Sequence, residues 1–348
     1  MTTIYDVAER AGVSTATVSR VFNGTKVSAA KAAAVRDAAA FLGFVPNGNA
    51  RRLRMGSSQI IAVLIPDIEN SFFTALTRGV TDVARAAGYS VMLGNTDESP
   101  QLEAELVSAA VGDVAGIIVA PTSDMADYSL PLRRGVPVVA VDRDAPRNKV
   151  DVVVADNIAG AEDATQRLFV LGFERVACVS GPQHVMTADL RVEGWKRAWM
   201  QRFGKLPPDE LCLRVPYTMD GGDEATADLM KLAEPPDAIF AANNRIAVGA
   251  VRSLIGVGMD LTDFGVVSLG ELPLTLYIPR GLVVTHLPAR ELGTRAAEML
   301  LERINGYTEA PRREVLATVV TNDQHAFAMT PDATATPMTC TTREGVPR

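Results

Sequence analysis

The sequence predicts an all-α helix-turn-helix head joined to an α/β core of two doubly wound lobes. Three observations predict it. Residues 3–22, TIYDVAERAGVSTATVSRVF, hold two short helical stripes separated by Gly12. After residue 58, apolar runs alternate with amphipathic stretches in two successive series, the pattern of parallel sheets with helices on both faces. Charge is divided the same way. Residues 1–58 carry eight Lys or Arg against three acids, a net of +5, and the other 290 residues carry 26 bases against 38 acids, a net of −12. A basic head on an acidic body is suited to meet a polyanion.

In the head, Thr3 caps a first helix over about 4–11, where Ile4, Val7, Ala8 and Ala11 recur at helical spacing. Gly12 supplies the tight turn. Ser14 caps the second helix, whose Val18, Val21 and Phe22 face inward. Ala16, Ser19, Arg20 and Asn23 fall on its other face, with Thr15 in the first turn. In such a motif the start of the second helix meets base edges in the major groove. Ser28 opens a third helix with an inward stripe of Ala34, Val35, Ala38, Phe41 and Leu42, and Gly43 ends it. Residues 46–58, PNGNARRLRMGSS, place one leucine, Leu53, among Arg51, Arg52 and Arg54. That segment reads either as a solvated basic linker or as an apolar wedge for the minor groove.

In the body, the first series has strands at Ile60–Ile65, Ser90–Leu93, Gly116–Ala120 and Val138–Val141, with helices at Phe72–Ala87 and Gln101–Val111. The second has strands at Val152–Ala155, Val176–Ser180, Ala238–Ala241 and Gly265–Leu269, with helices between them. A helix over Ala289–Ile304 and a strand near Glu314–Val320 complete the core. Ligands of such folds bind at the carboxyl ends of the strands. Residues 324–348 read as a disordered tail rich in Thr, Pro and Ala.

Several classes drop out. Cys178, Cys212 and Cys340 are far apart and odd in number, so neither a disulfide framework nor a zinc site is expected; two read as buried thiols and one as a tail residue. No signal peptide is expected, since Asp6, Glu9 and Arg10 interrupt any apolar start, and no run of about 18 apolar residues is present to span a bilayer. The chain therefore reads as cytoplasmic. No GxxxxGK[ST], HExxH or GxSxG occurs, and His184, His286 and His325 are scattered, so no catalytic residue, metal or cofactor is expected.

These residues give the chain a resemblance, over about residues 2–323, to the lactose/galactose repressor (LacI/GalR) family of bacterial transcription regulators. It is carried by TIYDVAERAGVSTATVSRVFNG, by PNxxARxLR at 46–54, NSFF at 70–73, VDR at 141–143, ADN at 155–157 and AAN at 241–243. The resemblance implies a transcriptional repressor that binds double-stranded operator DNA as a homodimer and is controlled by a small-molecule effector. It divides the chain into a DNA-binding domain over 1–45, a hinge helix and linker over 46–58, and an effector-binding and dimerisation domain over 59–323. The last is a periplasmic-binding-protein-like pair of lobes with three crossovers, one lobe at about 59–157 plus 286–307, the other at about 158–285 plus 310–323.

Carried over position by position, Thr15, Ala16 and Arg20 resemble base-reading residues, and Thr17, Ser19 and Asn23 phosphate or supporting contacts. Leu53 resembles the family's intercalating leucine and Arg54 its basic neighbour. In the cleft, Phe72, Phe73 and Tyr217 match apolar or aromatic platforms. Asp142, Thr187, Arg191 and Asn243 match polar contacts to ligand hydroxyls. The implied effector is a sugar, sugar acid or sugar phosphate.

The chain departs from the family at Gly270, where an acid is usual, and at Asn244, where Asp is usual. Glu271 is one position on and can reach in instead. Fewer carboxylates near Arg191 favour an anionic ligand. An alternative is a DNA-binding regulator whose core answers to a protein partner. A transport-type solute-binding protein fits the lobes but not the head, and an α/β enzyme lacks its catalytic constellation.

Overall fold

The computed structural model describes residues 2–22, 27–44, 58–145, 149–183, 185–261, 263–272 and 282–321. Asn23, the hinge positions 46–57 with Leu53 and Arg54, His184, and the tail 324–348 with His325 and Cys340 lie outside the described residues. The chain divides into two compact units, Met1–Ser58 and Gln59–Arg348.

The first unit holds α1 (Ile4–Ala11), α2 (Thr15–Phe22) and α3 (Ala29–Leu42). Asp6 Oδ2 accepts from the Thr3 amide at 2.7 Å, which satisfies one donor at the start of α1. Gly12 ends that helix at φ 64°, in the left-handed region where a Cβ is costly. Val7, Ala8, Val18, Val35, Ala38 and Ala39 are buried together. Phe41, expected inside, is 70% exposed. The buried stripe of α3 runs through Val35, Ala38 and Ala39 with Leu42 packed against it, which leaves Phe41 to one side, where the Arg10 guanidinium lies 3.4 Å over its ring. Phe44 fills the core instead, 6.0 Å from Phe22.

The second unit begins with β1 (Ile60–Ile65), α4 (Ser71–Ala86), β2 (Ser90–Asn95), α5 (Pro100–Ala110), β3 (Gly116–Val119), α6 (Ser129–Arg133), β4 (Val138–Val141) and β5 (Asp151–Ala155). It continues with α7 (Asn157–Val170), β6 (Val176–Ser180), α8 (Met186–Phe203), β7 (Cys212–Arg214), α9 (Met219–Leu229), β8 (Ala238–Ala241), α10 (Asn244–Gly256), β9 (Gly265–Leu269), β10 (Leu282–His286), α11 (Ala289–Ile304), β11 (Arg313–Leu316) and β12 (Val319–Thr321). One sheet has the order β11-β5-β4-β3-β1-β2, the other β12-β10-β9-β8-β6-β7. All pairings are parallel except β10 with β12. Strands such as β3, β4 and β8 are buried along their whole length, which is why they read as unbroken apolar runs.

Two readings from the sequence change. The run Val152–Ala155, grouped by pattern with the second series, belongs to the first sheet, as the lobe boundary near 157 implied, pairing with β4 through Val153↔Val141. The stretch near Glu314–Val320 is two strands: Glu314 pairs with Val153 in the first sheet, Val320 with Thr285 in the second. The third crossing between sheets is therefore at 317–318, and 313–316 belongs to the first lobe. The free edge of β5 accepts β11 before the chain crosses. The short strand β7 and the strand β10 escaped the apolar-run reading.

Within the first lobe, α4 and α11 meet backbone to backbone. A Cβ on Gly79 would stand 2.1 Å from the Arg290 carbonyl oxygen, and one on Gly293 2.0 Å from that of Leu76. No described helix is long and apolar enough to cross a membrane.

Candidate functional site

In the head, α2 turns Val18 inward and leaves Ala16 and Arg20 exposed, with Thr15, Thr17 and Ser19 partly exposed. Thr17 is tied to the start of the helix: its amide donates to Ser14 Oγ at 3.2 Å, and the two hydroxyls are 3.0 Å apart. Thr17 thus supports the cap, while Thr15 and Ala16 stand in the first turn and Arg20, on the outward surface, in the last. Asn23, Leu53 and Arg54 lie outside the described residues.

In the body, a cavity of about 520 Å³ opens between the two sheets. Its walls are the residues just past the strand ends: Pro66 and Asp67 after β1, Asp142 and Arg143 after β4, Pro182 after β6, Tyr217 after β7, Asn243 after β8 and Gly270 after β9. Parallel strands point their carboxyl ends the same way, so one residue from each converges there. The volume falls within the range of small-molecule sites.

Asp142 is buried and sits at φ 66°, in a three-residue turn closed by the Arg143 amide on the Val141 carbonyl at 2.7 Å. Such a turn is strained for a side-chain-bearing residue, and strain of this kind concentrates at ligand sites. Burial pushes the Asp142 carboxyl above the usual range, with Arg143 and Arg191 opposing the shift. Arg143 is held by Glu98 at 2.6 and 2.7 Å and by the Pro121 carbonyl at 3.2 Å.

Thr187 and Arg191 stand one turn apart on α8, so both face the cavity. Arg191 Nε donates to Asn157 Oδ1 and Nη1 to the Ala242 carbonyl, each at 2.7 Å. Asn243 caps α10, its Oδ1 accepting from the amides of Arg245 (2.7 Å) and Ile246 (3.2 Å), and its Nδ2 takes no part in the cap. Phe72 and Phe73 meet edge to face at 5.0 Å, Phe73 reaching into the core. The Tyr217 hydroxyl is buried without a hydrogen-bond partner. Burial raises its pKa, and the Thr187 hydroxyl lies beside it outside hydrogen-bond geometry. A buried donor left open at a cavity wall is costly unless a ligand or water meets it.

Phe72, Phe73, Asp142, Thr187, Arg191, Tyr217 and Asn243 are thus brought together, and Glu271 is not. Gly270, at φ 106°, turns the chain so that Glu271 leaves the cavity and pairs with His286 Nδ1 at 2.6 Å in a neighbouring crevice. The expected surplus of positive charge is also absent. Asp67, Asp97, Glu98 and Asp142 line the cavity with Arg143, Arg191 and Arg245, and Glu98 and Asp67 neutralise two of those arginines.

Sequence reasoning overlooked the residues that hold others in place. Asn157 lies within the ADN motif, but its partner Arg191 is supplied by the next helix, α8, more than thirty residues on. Asn244, noted only for not being Asp, donates to Asn70 Oδ1 at 3.1 Å and Ser71 Oγ at 3.2 Å. Arg245 reaches Asp67 at 2.7 Å and Glu69 at 3.2 Å. These contacts tie the second lobe to the first at the cavity mouth.

Comparison with known proteins agrees with this architecture. Residues 3–47 match the model for bacterial regulatory proteins of the lacI family, and residues 58–325 that for periplasmic binding proteins and the sugar binding domain of the LacI family. The chain is 32% identical over 325 residues to the ribose operon repressor of Escherichia coli (strain K12), covering 92% of this chain and 98% of that protein. It is 30% identical over 308 residues to the HTH-type transcriptional repressor CytR of the same strain, covering 87% and 90%. Among solved structures, the lac repressor dimer bound to operator and the anti-inducer ONPF superposes with a TM-score of 0.79 at 25% identity, covering 92% of this chain and 98% of that one. The complex of the transcriptional regulator CelR with cellobiose gives 0.68 at 29% identity, with the same coverage. The helix-turn-helix unit, the two parallel-sheet lobes and both family matches lead to one conclusion: the chain belongs to the LacI family of bacterial regulatory proteins.

Proposed function

We propose that this DNA-binding repressor works in the cytoplasm as a homodimer and releases or holds its operator according to a neutral, polyhydroxylated small molecule in the inter-lobe cavity. The observation that carries the ligand reading is the buried, unpartnered Tyr217 hydroxyl beside Thr187, on the wall that also holds Asp142, Arg191 and Asn243. Aromatic faces from Phe72 and Tyr217 pack the apolar face of a sugar ring. A carboxylate, a guanidinium and an amide bind its hydroxyls. With two of the three arginines already neutralised, a neutral sugar fits better than a sugar acid or sugar phosphate.

In the head, Arg20 takes guanine, with Thr15 and Ala16 beside it on the base edges. Thr17, Ser19 and Asn23 contact phosphate or support the reading helix, and Leu53 with Arg54 enters the minor groove. Ligand and operator are then linked: each changes the affinity of the other by the same factor.

Calorimetry of the full chain against ribose, cellobiose, sugar acids and sugar phosphates, with and without operator DNA, tests this. Heat from neutral sugars, altered by operator, is expected. Heat from phosphorylated sugars alone overturns the neutral preference. No heat from any of them, with operator affinity unmoved, favours a core that answers to a protein partner.

A further inference from the structure

Cys178 and Cys212, distant in sequence, are register partners on the adjacent parallel strands β6 and β7. Register partners project from the same face of a sheet, and neighbouring strands lie about 5 Å apart, inside the Cα separation a disulfide spans. Both are free thiols. Cys178 is fully buried, whereas Cys212 is partly exposed on the edge strand of the second sheet. Lys196 and Arg214 place positive charge near them. Arg214 is itself braced by Asp189 at 2.7 Å and by the Gly181 carbonyl at 3.2 Å.

We propose that Cys178 and Cys212 form a peroxide-oxidisable dithiol that closes to a disulfide across this sheet edge, with Cys212 as the attacking thiol and Cys178 as the resolving one. Redox-sensing cysteines are accessible thiols in electropositive surroundings with a second thiol at hand. Cys212 is partly exposed, has Lys196 and Arg214 nearby and stands opposite Cys178. Its thiol is held down to about 7 by the hydrogen bond from Cys178, against burial, with Arg214 and Lys196 adding to the shift. Burial pushes the Cys178 thiol up, so it stays protonated until its neighbour is oxidised.

The chemistry balances with one hydroperoxide. The Cys212 thiolate sulfur attacks one oxygen of hydrogen peroxide. The O–O bond breaks, and the departing hydroxide takes a proton to leave as water, giving a sulfenic acid. The Cys178 sulfur then attacks the sulfenic sulfur. The S–S bond forms, the S–O bond breaks, and hydroxide leaves with the Cys178 proton as a second water. Two thiols are oxidised and one peroxide is reduced. The bridge joins the strand pair that goes on to Ser180↔Arg214 and then to Gly181 and Tyr217, so the oxidisable pair and the cavity wall share one piece of sheet.

The full chain carrying Cys340→Ser retains only these two thiols and supplies the test. After hydrogen peroxide, denatured thiol titration is expected to fall from both thiols to none. Peptide mapping should give one intrachain link between positions 178 and 212, reversed by dithiothreitol. Adding Cys178→Ser, or Cys178→Ala if the hydroxyl unsettles the core, should leave a Cys212 sulfenic acid that dimedone traps. Adding Cys212→Ser should slow thiol oxidation about tenfold or more. Survival of both thiols, a link only between separate chains, or equal peroxide reactivity at the two positions would overturn the proposal.

Discussion

Tyr217 lies on the backbone of Gly181 with no room for a side chain between them: a Cβ at 181 would come within 2.2 Å of the Tyr217 Cζ and 2.6 Å of its hydroxyl oxygen. Absence of a side chain at one strand end thus sets where the aromatic wall stands. Gly181→Ala is expected to push the ring toward the cavity and lower sugar affinity by about tenfold or more, a cost of roughly 1.4 kcal/mol. Operator binding without ligand should be kept. Titration calorimetry beside an operator-binding assay checks both, and unchanged sugar affinity would remove Tyr217 from the site.

Asn157→Ala takes the partner from Arg191 Nε in a buried setting. Leaving that donor unmet should cost on the order of 1–3 kcal/mol of stability in urea unfolding. Ligand affinity should fall as well, because the guanidinium is then steadied mainly by the Ala242 carbonyl. A stability loss with ligand binding untouched would reduce Asn157 to a purely structural residue.

Arg20→Ala should relax operator preference at one base pair in each half-site, costing roughly 1–3 kcal/mol per site. The measurement is a binding series on operators substituted one pair at a time. A uniform loss across all sequences would mark Arg20 as a phosphate contact instead.

Arg245→Ala removes the ion pairs to Asp67 and Glu69 that join the lobes. Because these pairs are partly exposed, the change in stability should be small, on the order of 1 kcal/mol. Lobe opening should respond more, and small-angle scattering of the ligand-free chain should report a larger radius of gyration. An unaltered scattering curve would mean that Asn244 with Asn70 and Ser71 holds the mouth by itself.

Asp151 is buried between Arg303 and Arg312, at 2.8 and 3.0 Å. Burial works to raise its carboxyl, but the hydrogen bonds from Arg303 and Arg312 win and lower it from the ordinary 3.8 to about 2. A carboxyl depressed in the folded state stabilises fully above its unfolded value and loses that contribution as pH falls through the folded one. The stability advantage of the native chain over Asp151→Asn should therefore hold above about pH 4 and fade toward pH 2. Denaturant unfolding at a series of acid pH values measures it, and a pH-independent gap would contradict the ion-pair account.

Much of the site could be read before any coordinates because its residues follow strand ends in short motifs. Asp142 and Asn243 occupy such positions, and the resemblance of the VDR and AAN motifs to the LacI/GalR family is what placed them in the site. What escaped depended on partners. Glu271 seemed able to replace the acid missing at Gly270, but the backbone turn at Gly270 sends it to His286. The charge balance of the cavity was hidden for the same reason, since Glu98 and Asp67 arrive from other strand ends to pair with Arg143 and Arg245.

By itself the sequence determined the helix-turn-helix head, the alternation of strand and helix, and the residue types at most of the strand ends facing the cavity. The head and the alternation rest on local periodicity, capping and turn chemistry, which act within a few residues, and the strand-end residues on the resemblance of short motifs to the LacI/GalR family. Only the tertiary structure decided that β11 and β12 separate into different sheets, that Asn157 holds Arg191, and that Cys178 stands opposite Cys212. Strand register and the meeting of distant side chains depend on how whole sheets pair and pack, and no local window of sequence contains that information.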